Sequence, residues 1–350
     1  LGAFLRIADG LDYGHVQDAR ITGIRVRGDA VCLRVTSPIF PANIARADRK
    51  ADLWRQVFPR GIQFETVPGE AALLTPDVPV PEAARRLFAL HYKRLLIHID
   101  GALAGTDPES LRQVRVALRR LRLLLRLFRK RLPQELSEPI DAGLAELLKE
   151  LSRARDLDVW LGVLENVPGS LARNRLWEPF LRYQRRLREM QSAAIRRGLR
   201  GAHFGGLRHK IARLTRTELP RLTVEAPGRP GSLPAVARKR WQKALQRVRR
   251  RAKLRHSASG DKLHELRTTM RRARYVGELF GDVLEPSDRK MARRLRTVEK
   301  ILGRVHDINV AFEVFIPAGP PPPRGLRRCL RKEHAACLAA LEDAWEELDL

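Results

Sequence analysis

The chain has 350 residues, room for two or three domains, and carries 68 Lys+Arg against 40 Asp+Glu, a net charge of +28. Such a field draws polyphosphate, nucleic acid or an anionic membrane surface and says little about fold. Three cysteines without a CxxC spacing, and no apolar run approaching a membrane span, point away from a disulfide scaffold or a membrane protein and towards a reducing cytoplasm. The start, LGAFLRIADGLD, lacks the basic n-region of a signal peptide and an initiator Met, so the chain is expected to be the interior of a longer gene product or a fragment.

In chain order, residues 2–12 read as the end of a helix. ITGIRVRGDAVCLRVTS alternates on either side of Gly28-Asp29, a hairpin signal. Residues 42–58 have helical spacing through Ile44, Ala47, Ala51, Trp54 and Phe58, and GIQFETV predicts a short strand. This α+β segment, 1–74, is followed by a proline-punctuated linker at 75–81. Helices are predicted over about 82–104, 108–131, 138–165 and 173–200, the last extending to about 217. A second linker, 218–233, precedes helices at about 234–256, 260–283, 287–315 and 324–348. Ser137 with Pro139, and Ser287 with Asp288, read as helix starts. Four helices followed by four helices predict a mainly α protein of two four-helix bundles, 82–217 and 234–350.

Charge is placed unevenly along this plan. Residues 1–80 hold 10 basic and 9 acidic residues, which leaves 58 and 31, a net of +27, for residues 81–350. Within that region LRQVRVALRRLRLLLRLF (111–128) and LHELRTTMRRARYVGELF (263–280) are identical at 7 of 18 positions. Arg112, Arg115, Arg119, Arg122 and Arg126 step by three and four and share one helix face; Val114, Leu118, Leu121, Leu125 and Phe128 form the opposite one. KELSRARDLDVW (149–160) likewise aligns with KILGRVHDINVA (300–311), so Lys149, Arg153 and Asp156 match Lys300, Arg304 and Asp307. Two blocks at nearly one offset indicate an internal duplication.

A helix needs an apolar stripe in order to pack; a cationic stripe serves something else. Guanidinium groups stay charged and offer forked donors to phosphate oxygens, and mounting them on helices limits the entropy lost on binding. Arg112, Arg115, Arg119, Arg122, Arg267, Arg271 and Arg274 are therefore candidate ligands of a linear polyanion, with Lys149, Arg153, Lys300 and Arg304 beside them. His264 and His306 stand where the other copy has Arg112 and Arg155, which favours phosphate contact over metal ligation. Asp156 and Asp307 each sit by an arginine and are expected to orient a guanidinium. The competing reading makes these charges solvated faces or internal ion pairs. His91 and His98 face either a groove or solvent; Cys329, His334 and Cys337 lack a zinc spacing, and core packing is expected of them. No phosphate-cradling Gly loop, HExxH or GxSxG occurs, so no metal, no cofactor and no catalysis are expected.

With DPESLRQVRVALRRLRLLLRLF, SRARDLDVW, DKLHELRTTMRRARYVGELF and LGRVHDINVA, residues 82–348 resemble a CHAD domain, the conserved histidine α-helical domain. The resemblance implies two four-helix bundles related by a pseudo-twofold axis, basic helices lining a groove, and binding of inorganic polyphosphate without hydrolysis. The chain departs from that pattern at Arg112, where the family's first copy often has His. Residues 1–68, through LRIADGLDYGH (5–15) and RKADLWRQVFPRGIQFE (49–65), resemble the C-terminal part of the exopolyphosphatase / guanosine-pentaphosphate phosphohydrolase family. That family's catalytic domains would lie upstream. The expectation is a cytoplasmic, non-enzymatic polyphosphate binder that targets a protein to polyphosphate granules or serves a linked phosphatase. Nucleic acid is the alternative partner, bound nonspecifically at low salt; a remnant phosphohydrolase part is a further alternative, and a membrane surface is not expected.

Overall fold

Gly28, at a φ of +52°, closes the hairpin that opens a small mixed sheet, because only glycine adopts that backbone without a steric penalty. The computed structural model describes residues 2–11, 19–36, 40–66, 73–105, 107–219, 231–257 and 259–348. Helix α1 (Gly2–Leu11) is followed by β1 (Arg20–Arg27), β2 (Ala30–Thr36), α2 (Phe40–Lys50), α3 (Asp52–Val57) and β3 (Gly61–Thr66). β2 lies in the centre, antiparallel to β1 and parallel to β3. Ala3, Ile7 and Leu11 of α1 bury against Leu33, Val35, Ala47, Ala51, Trp54 and Ile62, so the strand and helix periodicities read from the sequence meet in one core. The Trp54 indole N–H donates to the Arg60 carbonyl at 2.8 Å, which pins the turn into β3. The expected linker is tied down, since Leu74, Val78 and Val80 are buried.

The rest is helical: α4 (Val80–Ile97), α5 (Ile99–Ala104), α6 (Pro108–Phe128), α7 (Gln134–Glu150), α8 (Ser152–Glu165), the single turn α9 (Gly169–Ala172), α10 (Trp177–Met190), α11 (Ser192–Arg200) and α12 (Ala202–Arg213). A π-helical turn covers Leu214–Glu218, and most of the second expected linker, 220–230, lies outside the described residues. Then come α13 (Leu233–Arg250), α14 (Gly260–Leu279), α15 (Pro286–Val310) and α16 (Leu326–Glu346). The fold is mainly α with a small N-terminal α+β part, as the periodicities predict.

Boundaries differ from the sequence reading in instructive ways. The helix expected over 138–165 is interrupted at the fully buried Leu151, and the one over 82–104 at His98. Pro139 does not open α7; it sits inside it, five residues after the start, and Ser137 bonds back to the Gln134 carbonyl at 3.4 Å. Asp288 does not cap α15 but accepts the Trp241 indole N–H at 2.7 Å.

Contacts group the chain into two units, Leu1–Leu148 with Leu199–Leu233, and Lys149–Gly198 with Pro234–Leu350. The segment expected to form one bundle, 82–217, is thus divided between them. The reason is the apolar face of α8 and α10: Leu157, Trp160, Val163, Leu164, Phe180 and Leu181 pack with Ile308, Ala311, Phe315, Ile316, Leu326 and Leu330. Gln184 fixes this contact by accepting from the Trp160 indole and donating to the Phe315 carbonyl, both at 3.2 Å. In the first unit, Arg46 pairs with Asp100 at 3.0 Å and the buried Lys93 donates to the Leu11 carbonyl at 3.4 Å, joining the α+β part to the helices after it.

Candidate anion-binding site

In the first unit, Asp107 caps α6 by accepting from the backbone N–H groups of Glu109 and Ser110 at 2.9 and 3.1 Å. The apolar stripe Leu111, Val114, Leu118, Leu121, Leu125 and Phe128 is buried along the whole helix, and of the arginines only Arg112 and Arg126, near its two ends, are exposed. The arginine face is largely committed. Arg112 grips Glu109 through two bonds of 2.6 Å, and Arg122 grips Asp141 at 2.7 and 3.2 Å with Arg126 3.9 Å from the same carboxylate. Arg115 is buried and donates to the Leu148 carbonyl at 3.2 Å; Arg119 is half-buried. His91 lies neither in a groove nor on the surface: it is 1 % exposed, and burial, reinforced by Arg120 and Arg94, holds its pKa well below the ordinary value.

The second unit holds the other stripe, on α14, together with both copies of the Lys-Arg-Asp block. α14 packs along α15, and α8 packs on α15 as well. The guanidinium of Arg267 lies against the backbone of α15 at Gly303, where a Cβ would stand 3.4 Å from Nη2. Its Nε is buried and has no hydrogen-bond partner among the described residues. One turn on, Arg271 donates to Thr268 Oγ1 at 3.2 Å. His264 and His306 meet Nδ1 to Nδ1 at 3.3 Å, with ring centroids 4.6 Å apart. Burial first, then Arg267, His264 and Arg271, depress the His306 pKa to about 3.

Asp307 feels opposed influences: burial raises its pKa, Arg267 and Arg304 lower it, Asp156 raises it and Arg155 lowers it, with a net rise. The two aspartates thus sense each other, and the two aligned blocks, 151 positions apart in sequence, converge in a single unit. Arg304 pairs with Glu333 at 2.6 Å. Arg274 is committed within the fold, bonded to Glu299 at 2.8 Å and Glu278 at 2.6 Å and lying over the Tyr275 ring at 4.6 Å. By contrast Lys149, Arg153 and Lys300 are exposed and form no ion pair among the described residues.

Among the candidate ligands, Arg112, Arg122, Arg274 and Arg304 are neutralised by carboxylates, Arg115 and Arg271 donate to uncharged oxygens, and Lys149, Arg153, Lys300 and Arg267 keep unused donors. Of the neutralising carboxylates, only Glu109 and Glu278, at helical spacing from Arg112 and Arg274, were visible in the sequence; Asp141, Glu299 and Glu333 come from other helices. Arg155, beside Asp307, also belongs to the cluster, at the position that aligns with His306. Cys329, His334 and Cys337 are half-buried on α16. Among the described residues no group of three or more His, Cys, Asp or Glu is placed to hold a metal ion, and no helix is long and apolar enough to cross a membrane.

Comparison with known proteins agrees with this architecture. The structure is similar to the crystal structure of the CHAD domain from the plant Ricinus communis, with a TM-score of 0.62 and 20% identity, over 80% of this chain and 96% of that one. It is similar also to PptA from Streptomyces chartreusis, with a TM-score of 0.54 and 18% identity, over 77% of this chain and 99% of that one. No curated protein matches the sequence significantly. The CHAD domain family model matches residues 86–316, about two thirds of the sequence, and the chain belongs to the CHAD domain family.

Proposed function

We propose that the protein binds inorganic polyphosphate without hydrolysing it, and that the principal contacts lie in the second unit, on α8, α14 and α15 together with Lys149 at the C-terminal end of α7. The observation that carries this reading is the convergence there of both Lys-Arg-Asp blocks with Lys149, Arg153 and Lys300 unpaired and Arg267 holding a spare buried donor. A chain of singly charged phosphates suits such a row: each cation neutralises a separate phosphate, and rigid helices lose little entropy. The first-unit stripe contributes less, since Arg112 and Arg122 already hold carboxylates and Arg115 a backbone carbonyl. The CHAD resemblance implies the same ligand, and the likeness of residues 1–68 to a polyphosphate-cleaving family points to the same substrate class. Recruitment to polyphosphate in the cytoplasm, or presentation of the chain to a linked phosphatase, would follow.

Calorimetric titration at near-physiological salt, with long-chain polyphosphate and charge-matched single-stranded DNA, tests the reading. A Lys149/Arg153/Lys300→Ala variant is the right comparison, because none of the three holds the fold together. Preference for polyphosphate, weakened at least tenfold in the variant, is expected. Equal affinity for the two polymers would move nucleic acid to first place.

A further inference from the structure

Resting on the reading of this region as the anion site, we propose that His264 and His306 couple binding to proton uptake: the arriving phosphate chain draws one proton into the pair, and affinity rises as pH falls. The Nδ1-to-Nδ1 contact at 3.3 Å needs one ring to donate and the other to accept. Two imidazolium rings would set two N–H groups head to head, so the pair cannot carry two charges and keep the contact. It can carry one. The ring that donates through Nδ1 carries its unprotonated lone pair at Nε2; with a proton taken up there the Nδ1 bond survives, and the pair gains a charged donor for a phosphate oxygen.

In the free protein the surroundings refuse that proton. Arg267 and Arg271 face the pair from α14, and Arg304 and Asp307 flank His306 on its own helix. α8 brings Arg155 and Asp156 to Asp307. α16 contributes Glu333, already bound to Arg304, while Glu265 of α14 is taken by Arg251. Arg267 and Arg271 thus leave the balance at the pair positive, in agreement with the depressed pKa of His306. A phosphate chain lying on Arg267 and Arg271 reverses that field. The imidazolium then becomes the favoured form, and binding and protonation reinforce each other by linkage.

The test is titration of the full chain with long-chain polyphosphate at about pH 6 in two buffers of different ionisation enthalpy, together with affinities at about pH 5 and 7. Uptake approaching one proton per bound site is expected, with affinity rising roughly tenfold or more from pH 7 to 5. His306→Gln and His264→Gln should abolish the uptake and flatten the profile, while Asp307→Asn should retain it. His264 is exposed, so its variant keeps the experiment decisive if His306→Gln folds poorly. Binding without proton exchange, uptake that survives both His variants, or uptake lost in Asp307→Asn would overturn the coupling alone. No binding at any pH would overturn the underlying reading with it.

Discussion

Arginines that look equivalent in the sequence differ in what they do to the fold. Arg274 is 13% exposed and holds two carboxylates, those of Glu299 and Glu278, which are 13% and 18% exposed. Truncating it takes from the buried Glu299 the cation that holds it and leaves Glu278 with Arg296 alone, a change that costs about 3 kcal/mol. Arg274→Ala should show that loss in urea unfolding, whereas Lys300→Ala, exposed and unpaired, should stay within about 0.5 kcal/mol of the parent. Binding losses in Arg274 variants therefore confound fold with ligand contact. His306 adds a pH dependence. Its folded pKa, about 3, lies below the unfolded value of 6.5, so below about pH 6.5 the unfolded chain takes up a proton that the native state refuses. Stability contributed by the neutral ring is present above pH 6.5 and declines as pH falls towards 3. Denaturant midpoints measured from pH 7 to 4 should fall less steeply in His306→Gln than in the parent.

At the level of helices, the two arginine stripes are built unequally despite their shared pattern. The N-terminus of α6 is held by the Asp107 side chain, while Ser259, before α14, makes no capping bond. Asp107→Ala should cost about 1 kcal/mol and Ser259→Ala almost nothing, a contrast that thermal unfolding of the two variants resolves. α14 instead depends on close approach to its neighbours at Gly277, where a Cβ would meet Ala292 Cβ at 2.6 Å and the Trp241 ring at 2.9 Å. The aligned stretch 111–128 has Leu125 at the matching position, so the likeness of the two sequences hides this constraint. Gly277→Ala should destabilise by about 1–3 kcal/mol, because the overpacking outweighs the roughly 1 kcal/mol that alanine gains in helix propensity. Sequence periodicity was sufficient to place the helices, the hairpin and the apolar stripe of α6, because burial repeats along one element. It could not find the break at Leu151 or the pairing of Arg122 with Asp141, because those depend on which element lies opposite.

Across the molecule, the same limit applies to how helices group. A bundle of four consecutive helices assumes that neighbours in sequence are neighbours in space, yet Lys149–Gly198 groups with Pro234–Leu350. That exchange brings the first Lys-Arg-Asp block onto the helix that carries the second, and concentrates charge that the sequence spreads over 151 positions. The net of +27 in residues 81–350 nevertheless gives any polyanion a general attraction, which has to be separated from the site. Salt dependence separates them. Each phosphate neutralised releases counterions and steepens the fall of log affinity with log salt by roughly 0.7, as for single-stranded nucleic acid. Lys149/Arg153/Lys300→Ala should therefore reduce the slope for long-chain polyphosphate by roughly 2. Arg185/Arg186→Ala, which removes exposed cations of α10 from the same unit, should reduce it by well under 1. Equal reductions in the two variants would mean that polyphosphate responds to the field of the whole domain, and the convergence of the two blocks would then be a feature of packing alone.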